Sequence, residues 1–311
     1  MKVLFMGTPE FAAVSLRRLL REPDFEITVV TTPDKPQGRH MVLTPSEVKK
    51  TALAAGLPVF QPQTLKNGAF EEELKEIDPD AVLVVAYGKI LPEYILSYPK
   101  YGCINLHGSL LPKYRGAAPM QRTVMNGEKE YGVTTMFMAA GLDTGDMLEK
   151  WSAPLQDEDN FETVHDTLAE QGAELLVSTL RKAVGGELTP EKQNDDEATY
   201  AAKIEKADCL LDFAKSAREV HNAVRGLSPV PLAYTTLRGK LLKIVSSEIA
   251  DEEKIAGEPG EVLEIDEKGA VLACGKGTLR ILTVRPEGKN QMSALDFARG
   301  RGIAAGDTLG K

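Results

Sequence analysis

Apolar strand-like runs alternate with helix-like segments through the first half of this 311-residue chain. The runs "KVLFM" (2–6), "EITVVTT" (26–32) and "AVLVVAYG" (81–88) are mostly apolar, and a segment with helical periodicity follows each of them. In the first connecting turn, Thr8 is expected to cap a helix whose first position is Pro9. Strands that are apolar on both faces are typical of a parallel sheet covered by helices. We therefore predict a Rossmann-like, mostly parallel sheet with helices on both faces.

The second half of the chain has a different pattern. Residues 160–185 have apolar side chains at helical spacing, which predicts one long amphipathic helix that closes the first domain. Residues 190–206 are polar and rich in turn formers, as linkers are. One helical segment and several short β-like runs separated by Gly or Pro then occupy residues 207–311. We expect a first domain at 1–189, a linker at 190–206 and a smaller OB-like β-barrel at 207–311.

The composition is that of an ordinary globular protein, with 42% hydrophobic and 27% charged residues. The start "MKVLFMGTPEF" meets Pro9 and Glu10 before it reaches the length of a signal-peptide core or a membrane span. This start predicts a cytoplasmic protein without a membrane partner. Three scattered cysteines and four histidines show neither a disulfide framework nor metal-ligand spacing, so we predict reduced thiols and no metal.

The net charge of −9 argues against a bulk attraction to nucleic acid, but the charge is unevenly spread. Residues 1–206 hold 22 Lys and Arg against 31 Asp and Glu, whereas residues 207–311 hold 15 of each. The C-terminal third is therefore relatively basic. A solvated surface of mixed charge and a polyanionic partner both account for this difference.

The stretch "INLHGSLLPKYRGAAP" (104–119) places Asn105 and His107 two residues apart at the end of a predicted strand. Residues two apart on a strand face the same side, so these side chains are expected to converge while Ile104 and Leu106 face the core. Ligands of open parallel sheets bind beyond the carboxyl ends of the strands. An amide donor and a titratable ring at that place suit the oxyanion of an acyl transfer, and they also suit a purely structural hydrogen-bonded pair.

Asp143 lies in the glycine-flanked turn "GLDTGD" after another predicted strand. It is expected to reach the His107 ring, hold it and favour its charged form, although a plain turn residue would have the same sequence features. Ser109 lies near His107, but no "GxSxG" sequence surrounds it, so a serine nucleophile is not predicted. The attacking group must therefore come from the substrate.

Together with "GTPEFA" at the start and "GLDTGD" further on, this stretch resembles the folate-dependent formyltransferase family, and the resemblance covers nearly the whole chain. It implies transfer of a formyl group from 10-formyltetrahydrofolate, a folate co-substrate, to a substrate amine. The catalytic residues implied are Asn105, His107 and Asp143. The folate-binding residues implied are Ser109, Leu110, Leu111 and Pro112 in one loop, and Tyr87 and Gly88 in the wall of the pocket.

Three further features resemble those family members that formylate the free α-amino group of initiator methionyl-tRNA: "PDKPQGR" (33–39), "LSPVPLAYTTLRGKLLKI" (227–244) and the separate C-terminal barrel. The resemblance then implies that 1–189 is the catalytic domain and that 207–311 contacts tRNA. A monomer is expected. The tRNA-binding residues expected are Arg39, Lys203, Arg238, Lys240 and Lys243.

Three alternatives stay open at this point. A formyltransferase acting on a small amine such as glycinamide ribonucleotide would use the same catalytic residues. A nicotinamide oxidoreductase would share the strand–turn–helix start, but "GTPEF" lacks the GxGxxG spacing that admits a pyrophosphate. A non-catalytic RNA-binding protein is compatible with the barrel, but it leaves the Asn105, His107 and Asp143 pattern without a role.

Overall fold

The computed structural model describes residues 1–37 and 41–310. Its strands are β1 (Lys2–Gly7), β2 (Glu26–Val30), β3 (Lys35–Gln37), β4 (Val42–Thr44), β5 (Val59–Phe60), β6 (Ala81–Val85), β7 (Cys103–His107), β8 (Arg115–Gly116), β9 (Glu130–Phe137), β10 (Met147–Pro154), β11 (Tyr200–Ala201), β12 (Ala233–Leu237), β13 (Lys240–Asp251), β14 (Val262–Ile265), β15 (Ala270–Ala273), β16 (Thr278–Pro286) and β17 (Met292–Ser293). Its α-helices are α1 (Glu10–Leu19), α2 (Glu47–Ala54), α3 (Glu71–Ile77), α4 (Glu93–Leu96), α5 (Pro119–Met125), α6 (Phe161–Gly185), α7 (Ala217–Gly226) and α8 (Ala294–Arg299).

A seven-stranded sheet in the order β10-β9-β7-β6-β1-β2-β5 runs through the first half of the chain. The pairs β1–β2, β1–β6, β2–β5 and β6–β7 are parallel, and β9 is antiparallel to β7. The chain adds β2 and β5 on one side of β1, and then returns to add β6 and β7 on the other side. This change of direction is typical of doubly wound sheets. β10 forms one edge of this sheet and β5 forms the other.

Helices cover both faces of this sheet. Met6 packs in a cluster with Leu74 of α3, and the strand registers place Met6 and Asn105 on the same face. Leu106 alternates with Asn105 and therefore lies on the other face, where it approaches Gly172 of α6 so closely that a Cβ there would lie 2.8 Å from Leu106 Cδ2. The prediction of a Rossmann-like, mostly parallel sheet with helices is confirmed.

The turn after β1 differs from the prediction in one contact. Pro9 occupies the capping position before α1, and no side chain caps the helix. Thr8 instead donates its hydroxyl proton to the carbonyl oxygen of Tyr87 at 3.1 Å. The prediction that Thr8 caps α1 is therefore wrong: its hydroxyl joins the carboxyl end of β1 to the segment that leaves β6.

The chain folds as two compact units. The second unit contains Ala117–Tyr131, Pro154–Val164 and the chain from Ala201 onward, and the first contains the rest. The main antiparallel sheet of the second unit has the order β12-β13-β16-β15-β14, with β17 paired to β16. Its core combines buried side chains of this sheet and of α7. Two segments that precede the predicted linker thus belong to the second unit.

The sheet of the second unit is open, which corrects the predicted closed OB-like barrel. β12 and β14 are its edges, and the described strands do not pair them with each other. The C-terminal segment bridges these edges instead, with Leu309 opposite Leu237 and Thr308 opposite Glu261. Strand periodicity predicts the strands, but it does not encode which edges meet.

The described residues have no helix long and apolar enough to cross a bilayer. They also contain no group of three or more His, Cys, Asp or Glu side chains placed to hold a metal ion. Cys103, Cys209 and Cys274 are free and buried. Burial raises the pKa of the Cys103 and Cys274 thiols to about 12, so both stay protonated near neutral pH.

Candidate active site

β7 ends in two polar side chains on one face of the sheet. Asn105 is only 9% exposed and His107 only 6%. β7 lies between β6 and β9, so a central strand with partners on both sides fixes the backbone of both residues. Within the described residues the side-chain amide of Asn105 makes no hydrogen bond. A nearly buried amide in that state is available to a ligand.

The His107 ring lies between two oxygen atoms. Its Nε2 is 2.9 Å from the carbonyl oxygen of Tyr114, and its Nδ1 is 3.7 Å from Oδ2 of Asp143. Because a carbonyl oxygen can only accept a hydrogen bond, Nε2 carries a proton. Nδ1 is then the ring nitrogen that can take up or release a proton, and it faces the carboxylate. The structure thus brings Asp143 to His107, as the sequence predicted.

Asp143 is held in a strained turn. Its φ of +52° lies in the left-handed region, which a residue with a Cβ rarely adopts. Its Oδ2 accepts a hydrogen bond of 2.8 Å from the backbone N–H of Gly116. Gly145, two residues on, packs against β9 so tightly that a Cβ would lie 1.7 Å from the carbonyl oxygen of Phe137. The turn therefore has a fixed place beside the end of β7.

The predicted folate loop is anchored at two of its residues. Ser109 is buried and its Oγ donates to the carbonyl oxygen of Lys113 at 2.7 Å. The N–H of Leu111, a buried residue, donates to Thr134 Oγ1 at 3.1 Å. Leu110 and Pro112, between and beside these anchors, are half-buried. The arrangement gives a rigid loop with apolar side chains partly open, and its role in folate binding stays a prediction.

The two residues predicted in the pocket wall differ in accessibility. Tyr87 is 2% exposed and packs in a hydrophobic cluster with Leu91 and Ile95, so its side chain is part of the core. Its hydroxyl has no hydrogen-bond partner in the described part of the chain, and burial raises its pKa to about 12. Gly88 has a φ of +80°, and a Cβ there would have no neighbour within 4 Å. Gly88 therefore borders open space, whereas the Tyr87 ring does not.

The residues predicted to bind tRNA have different surroundings. Arg39 lies outside the described residues. The Lys203 side chain is 80% exposed, with Nζ 4.0 Å from Oε1 of Glu205. Arg238 lies in the turn before β13, and its Nη2 pairs with Oδ2 of Asp307 at 2.6 Å. Of these, Lys203 retains a largely accessible charge, and the charge of Arg238 is already matched.

The two lysines of β13 complete this set. Lys240, the first residue of β13, is exposed. Lys243 is half-buried, and its Nζ donates to the carbonyl oxygen of Pro231 at 3.4 Å. Arg285 of β16 is its cross-strand neighbour and is exposed. Lys243 and Arg285 thus form a small basic surface on one face of the sheet, and their contact with tRNA stays a prediction.

Sequence reasoning missed Gln193 and Thr199. Both lie in the segment predicted as a linker, where "EKQNDDEATY" reads as a solvated run. Gln193 is nevertheless 5% exposed and hydrogen-bonds to the Asp143 turn. No signal in one sequence marks a single buried glutamine in a polar run, because its partners are 50 and 78 residues away.

Two family models match the chain. The model described as "Formyl transferase" matches residues 1–180, which is more than half of the chain. The model described as "Formyl transferase, C-terminal domain" matches residues 203–302. The first model includes the strand that carries Asn105 and His107 and the turn that carries Asp143.

Comparison with individual proteins also gives formyltransferases. The chain is 49% identical to a methionyl-tRNA formyltransferase of Caldanaerobacter subterraneus subsp. tengcongensis, over 99% of this chain and 100% of that protein. It is 45% identical to a methionyl-tRNA formyltransferase of Citrifermentans bemidjiense, over 100% of this chain and 97% of that protein. Its fold is similar to the crystal structure of WlaRD, a sugar 3N-formyl transferase in the presence of dTDP and 5-N-formyl-THF, with a TM-score of 0.67 and 20% identity over 93% of this chain and 99% of that chain. The chain therefore belongs to the formyl transferase family, and methionyl-tRNA formyltransferases are among its relatives.

Proposed function

We propose that this enzyme transfers a formyl group from 10-formyltetrahydrofolate to the free α-amino group of initiator methionyl-tRNA. The observation that carries the proposal is the convergence of Asn105, His107 and Asp143 at the carboxyl end of β7, with Nδ1 of His107 3.7 Å from Oδ2 of Asp143. Relatives at 45–49% identity over almost the whole chain are named methionyl-tRNA formyltransferases, which supports the acceptor. The similar fold of a protein crystallised with 5-N-formyl-THF supports a folate-derived donor.

The reaction forms a C–N bond between the acceptor amine and the formyl carbon and breaks the bond from that carbon to the folate nitrogen. Attack places negative charge on the formyl oxygen. The amide of Asn105, which has no hydrogen-bond partner among the described residues, and a protonated His107 ring supply hydrogen-bond donors for that charge, in a site where both residues are nearly excluded from water. Holding both reactants against a rigid strand end contributes further, because it removes the need to bring them together at the moment of reaction.

The proton of the attacking amine must reach the departing folate nitrogen. The protonated His107 ring gives its Nδ1 proton to that nitrogen as the bond to the formyl carbon breaks, and Nδ1 then takes up the proton that the amine loses, because Nε2 stays engaged with the carbonyl oxygen of Tyr114. The carboxylate of Asp143 stabilises the ring while it holds two protons. Asp143 itself keeps its charge in this scheme and orients the ring.

Substitution of the two β7 residues tests the proposal. Asn105→Ala and His107→Ala should each lower the kcat for formylation of methionyl-tRNA by about two to three orders of magnitude, the usual cost of losing one oxyanion donor. Asn290→Ala, at an exposed residue in the loop before β17, is the matched control and should keep wild-type kcat. Near-normal formylation by either β7 variant would remove these residues from the chemistry.

The acceptor needs a separate measurement. Wild-type enzyme supplied with 10-formyltetrahydrofolate should formylate methionyl-tRNA and leave glycinamide ribonucleotide unreacted. The reverse result would establish the small-amine alternative, and no formylation of either would favour the RNA-binding alternative. A cytoplasmic location and a monomeric state are part of the proposal, and light scattering of the purified enzyme checks the second.

A further inference from the structure

Residues 191–199, which the sequence predicts as part of a linker, hydrogen-bond to two parts of the candidate active site. Gln193 is the buried centre of this 191–199 segment. Its Nε2 donates to the carbonyl oxygen of Asp143 at 2.8 Å and to that of Gly145 at 2.7 Å. Its Oε1 accepts a hydrogen bond of 3.0 Å from Nε of Arg115. One side chain thus joins the turn that carries Asp143 to β8, the strand after the predicted folate loop.

These three bonds require a glutamine. Two carbonyl oxygens need two N–H donors and the guanidinium needs an acceptor, and a primary amide provides all of them. A glutamate at 193 would accept from Arg115 but would set a carboxylate against two carbonyl oxygens. A methionine of similar length would leave the two carbonyl oxygens and Nε of Arg115 without this partner.

The backbone conformation of Asp143 depends on contacts with its surroundings. A non-glycine residue with a φ of +52° keeps that conformation only where surrounding contacts fix it. Gln193 fixes the carbonyl oxygen of Asp143, and the N–H of Gly116 fixes its carboxylate. Arg115 and Gly116 are the two residues of β8, so both restraints fix the position of Asp143 relative to the same strand. The distance between the carboxylate and the His107 ring therefore depends on Gln193.

Thr199, at the other end of the 191–199 segment, holds the second oxygen atom beside the His107 ring. Its Oγ1 accepts a hydrogen bond of 2.8 Å from the N–H of Tyr114, and its carbonyl oxygen accepts one of 2.8 Å from the N–H of Arg115. The carbonyl oxygen of Tyr114 in turn accepts the proton of His107 Nε2. The backbone of Tyr114 thus links Thr199 to the orientation of the ring.

We propose that Gln193 and Thr199 are positioning residues for formyl transfer. Gln193 sets the place of Asp143, and Thr199 sets the orientation of His107 through the carbonyl of Tyr114. Neither residue contacts substrate in this scheme, and the inference rests on the catalytic roles given to His107 and Asp143 in the proposed function.

A double-mutant cycle in the full-length enzyme tests the role of Gln193. Gln193→Met should lower the kcat for methionyl-tRNA formylation about 10- to 100-fold, the scale for misplacing a catalytic group, with a smaller change in KM. In an Asp143→Asn background the same substitution should have little further effect, because the carboxylate that Gln193 positions is gone. Glu191→Met puts the same side chain at an exposed position two residues away and should keep wild-type kcat.

The outcomes separate this proposal from the proposed function. An equal loss of kcat in both backgrounds would assign Gln193 a general structural role and overturn the proposal. Wild-type kcat for Gln193→Met beside an impaired Asp143→Asn would overturn it while leaving the function intact. Wild-type kcat for Asp143→Asn would overturn the catalytic role of Asp143, and the reason for positioning it would go as well.

Thr199 provides a second test that does not depend on a buried substitution, since its side chain is exposed. Thr199→Val keeps the shape of the side chain and removes the acceptor for the N–H of Tyr114, and it should lower kcat about tenfold. Thr199→Ser keeps that acceptor and should retain wild-type kcat. Equal activity of the Val variant and the wild type would overturn the role of Thr199.

Discussion

Tyr87 keeps a hydroxyl in the core that no described residue satisfies. A buried unpartnered hydroxyl loses its bonds to water on folding without gaining others, at a cost of about 1–3 kcal/mol. Tyr87→Phe should therefore raise the free energy of unfolding by about 1 kcal/mol, measured by urea denaturation. Tyr94→Phe is the matched control in the same cluster, because the Tyr94 hydroxyl donates to the carbonyl oxygen of Leu65 at 2.9 Å, and its loss should destabilise the fold.

This substitution also tests whether Tyr87 serves folate binding through its side chain. Because the ring lies in the core, Tyr87→Phe should leave the affinity for a folate analogue unchanged. A large loss of affinity with retained stability would place the hydroxyl in the pocket after all. The prediction separates a packing role from a binding role at one atom.

Three buried acidic groups make the fold sensitive to alkali. Burial raises the pKa of Tyr87, Cys103 and Cys274 to about 12, from ordinary values near 10.0 for the tyrosine and 9.0 for the thiols. A raised folded-state pKa means that the unfolded chain loses its proton first, so stability is intact below pH 9 and is lost as pH rises toward 12.

Each ionising group should then lower the free energy of unfolding by about 1.4 kcal/mol per pH unit in that window. Urea denaturation at pH 8 and at several points between pH 9 and 11 measures the slope. Tyr87→Phe should make the slope shallower above pH 10, where the tyrosine would otherwise titrate in the unfolded chain. The same slope in variant and wild type would exclude Tyr87 from the effect.

At the scale of elements, sequence periodicity predicts the helices and strands whose formation depends on local patterns. The amphipathic segment predicted as a helix at 160–185 corresponds to α6 at Phe161–Gly185, and the apolar run at 2–6 corresponds to β1 at Lys2–Gly7. Alternation along β7 also placed Asn105 and His107 on one face. The 191–199 segment could not be predicted in this way, because Gln193 is buried only by partners that are distant in sequence, and the open edge between β12 and β14 is likewise a tertiary feature.

The contact between α5 and α7 offers a test at the same scale. Gly226 ends α7 so close to α5 that a Cβ would lie 2.5 Å from Met125 Cγ, 2.9 Å from its backbone nitrogen and 3.1 Å from the carbonyl oxygen of Gln121. Gly226→Ala should lower the free energy of unfolding by about 1–3 kcal/mol, the usual cost of overpacking.

Gly300, at the end of α8, is the matched control for Gly226. A Cβ there would find its nearest atoms at 3.5 and 3.6 Å, which is ordinary contact, so Gly300→Ala should change stability by less than about 0.5 kcal/mol. Thermal and urea unfolding of both variants measure the difference. Equal stability of the two alanine variants would show that α5 and α7 can move apart without cost.

At the scale of the molecule, the two units do not divide the chain at one point. α5 belongs to the second unit, and Arg122 within it pairs with Asp208 at 2.8 Å. A cut near residue 206 would therefore remove α7 from α5 and leave Arg122 without its partner. Tests of tRNA binding should accordingly use substitutions in the full chain rather than isolated fragments.

The proposed tRNA contact can be tested by salt dependence in the full chain. With a net charge of −9, the enzyme must bind a polyanion through local basic groups, and each phosphate neutralised adds about 0.7–0.9 to the slope of log affinity against log salt concentration. Lys240→Gln and Lys243→Gln, at the β12–β13 edge, should each weaken methionyl-tRNA binding and reduce that slope by about this amount. Lys268→Gln removes the same charge from the turn between β14 and β15, at the opposite edge of the sheet, and should leave the slope unchanged. If all three variants weakened binding equally with parallel slopes, the effect would be one of overall charge, and the β12–β13 edge would not contact phosphate.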